Sequence, residues 1–278
     1  MSMKSRYFYL NLRVWVGCLF LTIACKQGHD VNQPGSSSRF PAAPRVEVSS
    51  APSPVENLGW KIIQPGVEWQ SRQVDHSKIM LVRLDPLQVR IRVAYAPQAP
   101  KTLSEWMNTA HPLIAMNGGY FEADYRASAL TIADGVVSGH SYQGFGGMLA
   151  VDSSGKVELV SLVHASKPLN KRVVQAIQSF PRLVWDGKAL PIQKDQQRAR
   201  RTALALDDMG HLLLIVSDQP IWTLSEFSQW LVACNLEIVR ALNLDGGPST
   251  GLAIRTPSST IVVNSESVLP QVLMIEGR

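Results

Sequence analysis

Cysteine is scarce: the 278-residue chain has three, and Cys18 and Cys25 both fall near its start. Only Cys234 remains in the body of the chain, so no disulfide framework is available and the fold must stand on its core. Beside Val232 and Ala233, that cysteine reads as a small buried apolar residue rather than a nucleophile. The six histidines (29, 76, 111, 140, 164 and 211) are scattered, with no His-x-His or His-Glu-x-x-His spacing, which argues against zinc. A Gly-x-Ser-x-Gly elbow is also missing, so serine-hydrolase chemistry has no support. Nor is there a large excess of one charge. The formal +5 includes Lys4, Arg6 and Arg13 near the start, leaving about +2 for the rest, which does not point to nucleic acid.

Residues 1–24 carry those three basic residues, no acid, and an apolar run from Val14 to Ala24 that is too short for a comfortable membrane span. This is the layout of a secretory signal peptide. The sequence Leu21-Thr-Ile-Ala-Cys25 resembles a lipoprotein cleavage site, so Cys25 is the expected lipidation position. Residues 25–56 are rich in Pro, Ser and Ala, a composition suited to an extended tether. The expectation is an exported envelope protein, membrane-anchored through lipid and facing the periplasm or exterior. Residues 57–278 suit one domain.

Within it, alternating apolar residues predict strands at 78–84 and 87–95, and hairpins at 130–137, 147–160 and 201–218. Helices are expected at 103–109, 172–179 and 224–234, with Phe227 and Trp230 in the core. The fold class is therefore α+β: a mainly antiparallel or mixed sheet with a few packed helices.

Two segments carry site-like chemistry. Ile238 to Leu244 reads as a buried strand, and it runs into Asn243-Leu-Asp-Gly-Gly-Pro-Ser-Thr250, which gathers a carboxylate, an amide, glycines and hydroxyls at a strand end. Asp134-Gly135 and Asp186-Gly187 are the bland comparison, as ordinary hairpin turns. Upstream, Ile114 to Asn117 runs into Gly118-Gly119-Tyr120-Phe121, followed by Glu122. Both segments follow a capping box, Thr102-Leu-Ser-Glu105 and Thr223-Leu-Ser-Glu226, as a quasi-repeat would. Folding the hairpin at 201–218 about its Asp-Asp-Met-Gly turn brings Arg201 and Asp218 to one open end, as either a site or a surface ion pair. Arg198 and Arg200 read as solvent-facing.

Asn117-Gly-Gly-Tyr-Phe121, Pro181-Arg-Leu-Val184 with Asp186-Gly187, Arg201-Thr-Ala203 and Asn243-Leu-Asp-Gly-Gly-Pro-Ser-Thr250 occur in the order that resembles the phosphodiester glycosidase family. Pro248 and Phe180 stand where that family often has glycine, and Phe180 is expected to narrow a substrate pocket. The resemblance implies hydrolysis of the glycosidic C–O bond of a sugar 1-phosphodiester or a related exopolysaccharide. Asp245 would face the anomeric carbon, with Arg201 clamping phosphate and Asp218 or Glu122 as a second carboxylate. Asn117, Tyr120, Thr202, Asn243, Ser249 and Thr250 would contact substrate, and the N–H groups of Gly118, Gly119, Gly246 and Gly247 would approach phosphate oxygens. No cofactor is required by the motifs, although Ca2+ or Mg2+ held by Asp245, Asp218 and carbonyls is compatible with them. The alternative function is a non-catalytic glycan-binding envelope lipoprotein.

Overall fold

The computed structural model describes residues 59–163, 172–192 and 196–278, all within one compact unit, Val55–Arg278. The leader, Cys25 and the whole of the tether (25–56) lie outside the described residues. Three sheets make up the fold. The eight-stranded sheet has the order Lys61–Gln64, Val67–Val74, Ser77–Leu84, Leu212–Trp222, Ala199–Asp207, Ile238–Asn243, Arg182–Trp185, Lys188–Ala189. A five-stranded sheet runs Thr260–Val263, Leu252–Arg255, Ile114–Asn117, Gln271–Gly277, Val89–Tyr95, and a second runs Val136–Ser138, Thr131–Ala133, Val173–Ser179, Gly147–Asp152, Val157–Ser161. Every pairing among the described residues is antiparallel, so no mixed sheet occurs.

Period-two patterning sets the layers. In the large sheet Met80, Val82, Leu204, Leu214 and Leu242 point into a core shared by all three sheets. Ile79, Leu81, Ala203, Ala205 and Ile215 point the other way, against helix α2 (Leu224–Ala233) with Phe227 and Leu231. Ile114, Met116, Leu273 and Ile275 of the first five-stranded sheet close the shared core. On its outer face Ala115, Val272 and Met274 meet Leu103, Trp106 and Met107 of helix α1 (Leu103–Ala110). Both helices start at the predicted capping boxes, on Thr102 and Thr223.

The expected helix at 172–179 is instead the strand Val173–Ser179. It is central in its sheet, between Thr131–Ala133 and Gly147–Asp152, so polar and apolar residues alike are buried from Gln175 to Ser179. Gln175 is satisfied there by backbone: its Oε1 accepts from the N–H groups of Val93 and Asp134. Asp134-Gly135 and Asp186-Gly187 are the expected tight turns, with both residues of each pair at positive φ (48° and 81°; 51° and 71°). Asp245-Gly246-Gly247 differs. Only Gly247 is left-handed, at φ 58°, and it opens a 3-10 turn, Gly247–Ser249.

The large sheet and the sheet containing Ile114–Asn117 meet at two strand ends, and the joint is Asn117. Its side chain is fully buried. Nδ2 donates to Asp245 O at 2.8 Å and lies 3.3 Å from Gly118 O, while Oδ1 accepts from Thr202 Oγ1 (2.9 Å) and Gly251 N–H (3.0 Å). Asn117→Ala orphans several buried groups at once, and the expected cost is about 3 kcal/mol or more of unfolding free energy. Urea denaturation measures it; a loss under about 1 kcal/mol would mean the joint is held elsewhere.

Candidate active site

Asp245 sits just beyond the end of strand Ile238–Asn243, where the buried strand emerges. Its main chain is clamped on both sides: its N–H donates to Gly118 O (3.2 Å), and its carbonyl accepts from Asn117 Nδ2. The carboxyl is partly open. Oδ1 accepts from Gly246 N–H at 2.9 Å, and the Ser249 hydroxyl also bonds to it. Burial pushes the Asp245 carboxyl above the ordinary aspartate range, against the downward pull of those two donors.

Tyr120 lies close enough for the Asp245 charge to act on it. Burial, and secondarily that charge, hold the Tyr120 hydroxyl well above its ordinary pKa, while the positive charge of Arg201 and the bond from Asn243 act against the shift. The phenol is therefore protonated at any working pH. Asn243 Nδ2 is 2.7 Å from Tyr120 Oη, 3.1 Å from Phe180 O and 2.7 Å from Leu244 O. The two carbonyls can only accept, which fixes Nδ2 on that side and makes Tyr120 Oη an acceptor from it. No acceptor for the Tyr120 proton is found among the described residues. Asn243 Oδ1 is buried with no partner among the described residues, the kind of unspent acceptor that a folded core rarely tolerates.

Several expected roles change. Gly118 and Gly119 do not offer their N–H groups to a ligand: Gly118 N–H donates to Gln271 O (3.0 Å) and Gly119 N–H to Gln271 Oε1 (2.7 Å). Glycine is needed at 118 because a Cβ would lie 2.4 Å from Gln271 Oε1. The Gly246 N–H is spent on Asp245 itself. Asn117, Thr202 and Thr250 are fully buried, with the Thr250 hydroxyl 3.2 Å from that of Thr202, so this trio braces the site from beneath and has no surface to give a sugar. Ser249 is buried against Asp245 and has its Oγ 3.4 Å from Ser267 Oγ.

Arg201 and Asp218 do not form a pair. The observed register opposes Arg201 to Ser217, so Asp218, one residue on, lies on the other face of the sheet. It accepts there from Ser77 Oγ (3.1 Å) and Lys78 N–H (2.8 Å), and it lines a cavity of about 410 Å3 with Lys78, Arg200 and Glu266. Arg200, expected in solvent, is buried and donates to Glu266 Oε1, Thr250 O and Asn264 O. Arg201 is buried on the Asn243 face, with Nε donating to Trp222 O (3.1 Å) and Nη2 to Gln197 O (2.6 Å). Glu122 is exposed, near enough to Tyr142 to raise its hydroxyl pKa after burial has done so. With Asp218 turned away, the proposed Asp245–Asp218 donor set for Ca2+ or Mg2+ is not assembled, and no cluster of three His, Cys, Asp or Glu exists among the described residues. Cys234 is buried, its thiol pushed up to about 11 by burial, in keeping with a core residue.

Sequence reasoning missed Gln271 and a ring cluster around Phe180. Gln271 carries no local signal. Phe145, flanked by glycines in Gly144-Phe145-Gly146-Gly147, offered one.

Comparison with known proteins puts this geometry in context. A solved zebrafish N-acetylglucosamine-1-phosphodiester alpha-N-acetylglucosaminidase catalytic domain, auto-inhibited by its pro-peptide, is similar in fold at 18% identity and a TM-score of 0.61, covering 76% of this chain and 82% of that one. A hypothetical protein from Synechocystis is similar at 16% identity and a TM-score of 0.51, over 77% of this chain and 63% of that one. No curated protein sequence matches. The family model for phosphodiester glycosidases matches residues 110–275, which span both strand-end motifs, Phe180 and Arg201. The chain belongs to the phosphodiester glycosidase family.

Proposed function

We propose that this protein hydrolyses the glycosidic C–O bond of a sugar 1-phosphodiester, with Asp245 facing the anomeric carbon. One observation carries the reading: a carboxylate clamped through its own backbone by both sheets stays partly open beside a tyrosine whose proton has no acceptor among the described residues. In such a substrate the phosphate leaves with the bonding electron pair as a stabilised anion, so little protonation of the leaving group is needed. What remains is to oppose the positive charge that develops at the anomeric carbon and the negative charge that develops on the phosphate. Ionised Asp245 meets the first demand. The Tyr120 hydroxyl meets the second as a fixed donor, within the positive field of Arg201, whose guanidinium is held in place by the carbonyls of Trp222 and Gln197. Asn243 orients Tyr120, and Gly118, Gly119, Asn117, Thr202 and Thr250 hold the scaffold rather than the substrate.

The leader and Cys25 add the proposal of an exported, lipid-tethered protein acting on an envelope saccharide. Mass spectrometry of the mature N-terminus should find a lipidated Cys25; an unmodified first residue would end that part of the reading.

Asp245→Asn should reduce kcat for a cleavable sugar 1-phosphodiester by about a thousandfold or more, the scale on which preorganised charge acts in a site. A purely glycan-binding protein has no turnover to lose. The same variant should be no less stable than the parent at pH 7. The Asp245 pKa is raised on folding, so any stability from this group is present below its unfolded pKa and lost as pH rises through the folded one, and a neutral amide escapes that loss. Thermal melts check this, and a clear drop in Tm at pH 7 would contradict it.

The acid limb of kcat/KM should lie above the ordinary aspartate value of 3.8, since the ionised form is populated only at higher pH. A pH–rate profile flat down to that value would remove Asp245 from the reacting centre.

A further inference from the structure

Three rings, those of Tyr120, Tyr142 and Phe145, pack around Phe180 at the edge of the site. Tyr120 and Phe180 have centroids 4.9 Å apart, Tyr142 and Phe145 stack at 4.7 Å, and both of the latter meet Phe180 edge-on at 5.7 and 5.8 Å. These contacts are of the geometry that aromatic pairs favour. Yet the cluster is not a closed core: Phe180 is 39% and Phe145 47% exposed. The loop that carries Phe145 is built to reach Phe180. Gly146 has φ 74°, and a Cβ there would lie 2.6 Å from Ser179 O, while Gln178 holds the loop through its bonds to Tyr142 N–H and Ser141 Oγ. The cluster is also tied to the reacting centre. Asn243 Nδ2 bonds both Phe180 O and Tyr120 Oη, so the rings and Asp245 are set by one strand end.

Strand order gives the cluster a direction. Strand Ile238–Asn243 lies between Ala199–Asp207, which carries Arg201, and Arg182–Trp185, which follows Phe180. Antiparallel pairing puts Arg201 and Phe180 at the same end of the sheet as Asp245: Leu244 N–H donates to Thr202 O and Asn243 N–H to Pro181 O. At about 4.8 Å per strand spacing, Arg201 and Phe180 flank Asp245 about 10 Å apart. A sugar 1-phosphate fits that span, with phosphate on the Arg201 side, the anomeric carbon at Asp245 and the sugar ring on the Phe180 side.

Resting on the reading of Asp245 at the anomeric carbon, we propose that Phe180, with Phe145, Tyr142 and Tyr120, is the platform on which the substrate's pyranose ring stacks. Phe180 is then the specificity-determining residue of this chain. A pyranose presents a face of C–H groups to an aromatic plane and its hydroxyls at the rim, where the Tyr142 hydroxyl and the exposed Glu122 near it are polar groups. That division of polar and apolar surface matches a saccharide better than a hydrocarbon chain.

The test is calorimetric binding of methyl C-glycosyl phosphonates of glucose and N-acetylglucosamine, in which carbon replaces the bridging oxygen so that no cleavage occurs. Their methyl aglycone is too small to reach the rings itself. Phe180→Ala and Phe180→Leu should each raise Kd about fivefold to tenfold, the scale of an aromatic contact, while Phe180→Trp binds like the parent. Thermal melts of the three variants establish that the partly exposed position leaves the fold intact. If Phe180→Leu binds as tightly as the parent, or the parent binds neither probe, the stacking platform is overturned. Turnover of the matching oxygen diesters by the parent is scored separately: binding without turnover would strike the hydrolase reading and leave the platform standing.

Discussion

The Asn117 carboxamide is the constraint on which the rest of the site depends. Two sheets must deliver two glycine-rich turns to one place, and each turn exposes main-chain groups that would be costly to bury unpaired. Asn117 satisfies four neighbours from both sheets, and the Gly118 carbonyl receives the Asp245 N–H across the same seam. Consequently both main-chain groups of Asp245 are tied down. Its side chain can remain partly open without the loop giving way, which is the preorganisation that electrostatic catalysis requires.

The glycines acquire a different meaning in this light. Gly118 and Gly119 are small so that Gln271, from the neighbouring strand, can lie across them and take both N–H groups. Their contribution to function is indirect: they let the Asn117 strand end press against the Asp245 turn. In the proposed reading, the anion-binding role sought in glycine pairs falls instead to side chains. Tyr120 has no acceptor for its proton among the described residues, and Arg201 contributes positive charge to its surroundings.

The same seam separates two environments that share one strand. On one face of Ala199–Asp207, Arg201 looks toward Tyr120 and Asn243; on the other, Arg200 is locked by Glu266 and two carbonyls beneath the Thr250 segment. Adjacent cations thus sit in unrelated surroundings, Arg201 on the Tyr120 side and Arg200 as a brace. A shift of one residue in register would exchange them.

Local chemistry alone determined much of this protein. The capping boxes fixed where both helices begin, because Thr and Glu three apart satisfy the first orphan N–H groups wherever the chain goes next. The Asp-Gly turns and the alternating strands were equally legible, and the paired Asn-Gly-Gly and Asp-Gly-Gly motifs pointed to the site and its family. Tertiary structure decided what those signals could not carry. Val173–Ser179 became a strand because its buried glutamines find backbone partners in distant segments: Val93 in a strand, Asp134 in a turn and Tyr142 in a loop. Asp218 left the site because strand register, which depends on the whole sheet, turned it to the opposite face. Phe145 and Tyr142 met Phe180, and Gln271 met Gly118 and Gly119, because distant segments came together there. Residues far apart in the chain are brought together by burial of a shared core, and no single stretch of sequence records that.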